Sequence, residues 1–88
     1  MSHITRQAIV TKYLGPTNHR GSRIKAKCQS GSITVSWDSN LHINENHTAA
    51  ATALAQKMGW LMVDGRKFQL LGGAMPDSSG NCYVIVPA

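Results

Sequence analysis

Between Ser22 and Trp37 the side chains alternate with period two: Ile24, Ala26 and Cys28 fall to one side, and Arg23, Lys25 and Lys27 to the other. Only an extended chain sorts residues this way, because successive side chains of a strand point to opposite faces. After the short connection "QSG" (29–31) the pattern resumes, with Ile33, Val35 and Trp37 against Ser32, Thr34 and Ser36. Residues 5–14, "TRQAIVTKYL", are rich in β-branched and aromatic types and read as an earlier strand. Its inward face is open: Ala8, Val10 and Leu14 share a side with Arg6 and Lys12, and Ile9 and Tyr13 share the other. Gly15-Pro16 and Arg20-Gly21, with Asn18 between them, mark a loop before the second strand. Three strands with short links make an antiparallel meander.

A helix follows. Asn44 or Asn46 is placed to cap it, and Ala49, Ala50, Ala51, Ala53 and Ala55 favour it strongly. Ala50, Ala51, Leu54 and Met58 form the stripe that packs on a sheet. Gly59 suits the left-handed residue that ends a helix, with Trp60 folding back as its closing contact. Beyond an Asp64-Gly65 turn, "RKFQLL" reads as a fourth strand. "GGAMPDSSG" (72–80) is a flexible connection with an exposed Met75, and "NCYVIV", apolar on both parities, is a central fifth strand. The expected architecture is βββαββ: a single α+β domain over residues 1–88, two layers, a mostly antiparallel five-stranded sheet with one helix on one face. Trp37, Leu54 and Ile85 are expected to meet in its core.

Charge sharpens the picture. Residues 1–36 carry Arg6, Lys12, Arg20, Arg23, Lys25 and Lys27 and no acid, whereas all four acids, Asp38, Glu45, Asp64 and Asp77, lie in the remainder. Such polarity favours an anionic partner. The candidate surface is Lys12, Arg20, Arg23, Lys25 and Lys27, neutralising backbone phosphates, with Asn18 and His19 adding hydrogen bonds. The competing explanation is that basic residues on a strand keep a sheet soluble. Gly15 and Gly21 do not form a phosphate loop, since five residues separate them and Ser22 stands where that motif needs Lys. Against nucleic acid, the aromatics are not interleaved with this basic row: Tyr13 is the one plausible stacker nearby, whereas single-strand binders normally show several.

Catalytic and metal patterns are incomplete. His42 and His47 are five apart, Cys28 and Cys82 lack CxxC spacing, and four acids leave little for paired-carboxylate chemistry. No catalytic residue, metal or cofactor is assigned, and the chain reads as a binding module, not an enzyme. Without a signal-peptide pattern or a long apolar run, the expected setting is cytoplasmic, with no membrane partner and with Cys28 and Cys82 as reduced, non-catalytic thiols.

The blocks "KYLGPTNHRGSR" and "NHTAAATALAQKMGW", with "SITVSWD" and "GGAMPDSSGNCYVIV", resemble a family of short uncharacterised bacterial proteins carried on plasmids, phages and other mobile elements. The resemblance implies a bacterial cytoplasmic protein of mobile-element origin and assigns no activity. Two functions follow as expectations. One is nucleic-acid or polyanion binding through the basic strand and loop. The other is a protein-interaction or inhibitor module, using the same face against an acidic protein or using the 72–80 loop.

Overall fold

The alternation becomes a sheet. The computed structural model describes residues 8–63, 65–77 and 79–87, so Arg6, Asp64 and Ser78 lie outside the described residues. Strands β1 (Ile9–Leu14), β2 (Arg23–Cys28) and β3 (Gly31–Ser36) form the meander, and helix α1 (Ile43–Lys57) follows. Then come β4 (Met62–Val63), β5 (Arg66–Ala74) and β6 (Asn81–Pro87). The strand order is β3-β2-β1-β6-β5-β4, and every neighbouring pair is antiparallel. The five long strands and the single helix are those the sequence predicts; the two-residue β4 is an addition that closes a hairpin with β5. The last strand, β6, lies between β1 and β5, the inner position its unbroken apolar run implies.

Helix α1 packs on one face of β1, β2 and β3, with a smaller contact on β6. Its inward stripe is mostly alanine, so the helix backbone approaches the sheet closely. Ala50, Ala51, Leu54 and Ala55 are buried with Ile9, Ile24, Ala26, Cys28 and Tyr83. Met58 reaches over Gly31, where a Cβ would fall 2.7 Å from the Met58 methyl. Trp37 and Ile85 are half-buried at the rim of this core and do not join Leu54 at its centre. Ile9 and Thr11 point inward on β1, which settles the face that hydrophobicity left open.

The helix ends follow local chemistry. The N-cap is His42, one turn before Asn46, and the Glu45 carboxylate reaches back to accept the His42 amide at 2.9 Å. Asn46 is buried instead of capping. Its Oδ1 accepts the Asp38 amide at 2.8 Å, and its amide donates to the Asp38, Leu41 and His42 carbonyls. One side chain thus pins the whole β3–α1 connection. At the other end Gly59 takes φ 73°, the Gly59 amide bonds the Gln56 carbonyl at 3.0 Å, and the Trp60 amide bonds that of Ala55 at 2.9 Å. This is the expected Schellman closure.

The 72–80 connection is shorter than the sequence predicts. Gly72, Gly73 and Ala74 belong to β5 and pair with Tyr83, Cys82 and Asn81. Gly72 is needed there because a Cβ would collide with the Tyr83 ring and the Cys82 carbonyl. The ring of a cross-strand aromatic residue covers the glycine and stabilises a strand that Gly alone would weaken. Met75 is half-buried, its amide bonded to the Gly80 carbonyl at 2.7 Å, and is not the exposed side chain expected.

Leu54 has no solvent exposure and sits where the alanines leave least room to relax. Leu54→Ala is expected to lower the unfolding free energy by about 2–5 kcal/mol. Urea denaturation followed by circular dichroism measures this; a loss below about 1 kcal/mol would contradict the helix orientation described here.

Candidate functional site

Among the described residues, the face of the sheet away from α1 has no second layer. In the register of the strands, Lys12 on β1 stands directly opposite Lys25 on β2. Lys27 faces Val10, and Arg23 faces Leu14, so four cations share this face across two neighbouring strands. On β3 the row continues as Ser36, Thr34 and Ser32, opposite Arg23, Lys25 and Lys27 respectively. Like charges directly opposite one another on a sheet are unfavourable. No acid compensates them among the described residues. Asp38 Oδ1 accepts the Asn40 amide, Glu45 accepts the His42 amide, and Asp77 Oδ1 accepts both the amide and the hydroxyl of Ser79. The Ser79 hydroxyl, at 2.6 Å, holds the Asp77 carboxyl below its ordinary range, so this acid is satisfied within its own turn.

The 15–21 loop carries Arg20. Its backbone is organised by Thr17, whose hydroxyl accepts the His19 and Arg20 amides and whose own amide donates to the Arg20 carbonyl at 2.7 Å. Arg20 therefore projects from a hydrogen-bonded turn. A groove of about 730 Å³ opens beside it, lined by Arg20, Arg23 and Trp37 and by the hydroxyl residues Ser22, Thr34 and Ser36. Arg23 is steadied there by its Nε–H bond to the Gly21 carbonyl at 3.3 Å. Asn18 and His19 are exposed on the same loop but do not line this groove. The structure thus brings together Lys12, Arg23, Lys25 and Lys27 on one face, sets Arg20 beside Arg23, and leaves Asn18 and His19 apart.

Trp37 is the residue that sequence reasoning assigned elsewhere. It follows β3 directly, half-buried, with its ring 5.4 Å from that of Tyr13 in an edge-to-face arrangement at 84°. The Tyr13 hydroxyl is tied to Ser22 Oγ at 2.8 Å. Trp37 also lines a second, apolar groove of about 360 Å³ with Tyr13, Ile43 and His47. The signal for this was present: Trp37 is followed at once by the polar run "DSN", which places it at a strand end.

Under the helix lies a buried polar network. The Thr11 hydroxyl is 2.7 Å from His47 Nδ1 and 3.3 Å from both the amide and the carbonyl of Asn81. The Asn81 side-chain amide donates to the Tyr83 hydroxyl at 3.0 Å, which meets the Thr48 hydroxyl at 2.8 Å. The network joins β1, β6 and α1. It satisfies groups whose burial unpaired would be costly.

Among the described residues no group of three or more His, Cys, Asp or Glu is placed to hold a metal ion. Cys28 is buried on the helix side, whereas Cys82 is half-buried, and both are free thiols. No described helix is long and apolar enough to cross a membrane. Comparison with protein-family models, curated proteins and solved structures returns no match to this chain, so the chemistry of the site rests on its own residues.

Burial holds the His47 imidazole below its ordinary pKa of about 6.5. The unfolded chain therefore takes up a proton first as pH falls. His47 contributes its full stability above about pH 6.5, and that contribution is lost as pH drops toward the folded-state value. The thermal midpoint should fall between about pH 7 and pH 5, and His47→Gln should flatten this part of the profile. A wild-type midpoint independent of pH over that range would contradict the buried neutral ring.

Proposed function

We propose that this domain is a non-enzymatic binding module for nucleic acid or another polyanion, acting in the bacterial cytoplasm suggested by the mobile-element resemblance. The observation that carries the reading is the juxtaposition of Lys12 and Lys25, flanked by Arg23 and Lys27, on a face where no described acid neutralises them. A line of phosphates laid across β1 and β2 would relieve the repulsion between these cations and release its own counterions. Arg20 extends the positive surface past the end of β2. Two of the groups with reactive potential are otherwise engaged: Cys28 is in the core, and His47 is bonded to Thr11. An acidic protein surface is the alternative partner for the same cations.

Fluorescence anisotropy with labelled DNA, RNA and heparin tests this. Four phosphate contacts give a slope of log K against log salt of about −3 to −4 on duplex DNA. The double variant Lys25→Ala/Lys27→Ala should weaken binding to all sequences alike and flatten the slope by about two units. Failure of the wild-type protein to bind any polyanion at about 50 mM salt would leave the cations as a solubilising surface only.

A further inference from the structure

We infer that the groove between the 15–21 loop and the end of β3 is a subsite for one nucleotide of a single strand, with the base stacked on Trp37 and its phosphate held by Arg20 and Arg23. This rests on the polyanion reading above and narrows it to single-stranded nucleic acid. Three observations converge. Trp37 is half-buried and lines both grooves, the polar one with Arg20 and Arg23 and the apolar one with Tyr13. Edge-to-face contact with Tyr13 at 5.4 Å steadies the ring without covering it in a parallel stack. The two arginines beside it carry no acidic partner among the described residues; the Arg23 side chain is held by its Nε–H bond to the Gly21 carbonyl, and the backbone of Arg20 by its amide bond to the Thr17 hydroxyl.

The chemistry separates a single strand from a duplex. A stacked base must be unpaired on its faces, because in a duplex both faces are already occupied by neighbouring pairs. The hydroxyls of Ser22, Thr34 and Ser36, lining the same groove, can meet the base edge or the sugar. Trp37 shares the helix-side parity of Ile33 and Val35, whereas Arg23 stands on the outer face with Lys25, Lys27 and Lys12, so a single strand seated here bends around the end of β2 and β3 before it follows that row. The groove has the polar lining and volume, about 730 Å³, that a nucleotide needs. Asp38 follows Trp37 directly, but its Oδ1 accepts the Asn40 amide at 2.9 Å.

The second tryptophan, Trp60, is silenced by Trp60→Phe, so that fluorescence reports Trp37 alone. An oligothymidylate of about 12 nucleotides, an oligouridylate of equal length, a DNA duplex and heparin are titrated at one salt concentration. Both single strands are expected to quench Trp37 and to bind more tightly than the duplex. Heparin should bind without quenching. Trp37→Leu should weaken single-strand binding about 5- to 100-fold and leave heparin affinity unchanged, and Trp37→Phe should restore much of the loss. Arg20→Ala, an exposed loop change, should reduce the quenching without touching the core. Binding of single strands with no quenching, or duplex binding as tight as single-strand binding, would overturn the nucleotide subsite and leave the polyanion reading standing. Absence of binding to every probe, heparin included, would remove both.

Discussion

Among the described residues one helix of fifteen residues covers one face of β1, β2 and β3 and part of β6, and no second layer covers the other face of the sheet. Much of the molecule follows from that asymmetry. Toward the helix the sheet must supply a core, and it does so with a thin one in which alanines let backbone approach backbone. A core so thin leaves little room for error, which gives the buried Thr11–His47 contact its importance. It fixes the rotation of α1 on β1, while Tyr83 and Thr48 fix the same helix on β6. Buried hydrogen bonds that must be made together favour one packing arrangement over its neighbours. Away from the helix, the sheet must be compatible with water, and cations and hydroxyls fill that half of the alternation on β2 and β3.

The outer face is not uniform. Around β5 and β6 it exposes Leu71 and Val84, which stand directly opposite each other. Around β1 and β2 it presents Lys12, Arg23, Lys25 and Lys27. The Leu71–Val84 pair and the basic row therefore lie on one face of the sheet, with Lys67 and Gln69 on the same side of β5 as Leu71. The pairing of β1 with β6 joins them through only three residue pairs, Ile9 with Tyr83, Val10 with Cys82 and Thr11 with Asn81. The buried Thr11–Asn81 bonds lie at this seam. The anchor of the helix and the junction of the two sheet halves are the same few residues.

What could be read from the sequence was whatever depends on local periodicity. Arg23 through Trp37 alternates so cleanly that strand and face follow together, and Gly59 with Trp60 announces the helix end. Less legible was anything decided by a partner far along the chain. Apolar residues on both sides of β1 gave no preference until His47 and Asn81 received Thr11. Gly72 reads as a loop residue because the Tyr83 ring that protects it lies eleven positions away. Asn46 looks like a cap but is a buried clamp, since the loop it holds wraps back over it. Trp37 looks like core by its parity and is half so. Its position at the end of an edge strand, beside a loop carrying Arg20, is a fact of topology that alternation does not contain.

The two explanations for the basic row differ in where they need the charge. Protecting a sheet from its neighbours requires cations at the edges, where unpaired backbone groups invite another strand. Here the edges are β3 and β4, and the outward row of β3 is Ser32, Thr34 and Ser36. That edge is served from elsewhere, by Lys57 of the helix, whose Nζ donates to the Ser32 carbonyl at 3.4 Å. The clustered cations stand instead on β2 and β1, which are paired on both sides and need no such protection. Placing Lys12 opposite Lys25 costs stability and guards nothing. This placement on inner strands, beside a groove to which Arg20 adds one further cation and Trp37 an aromatic residue, is the ground on which the polyanion proposal is preferred to the solubility one.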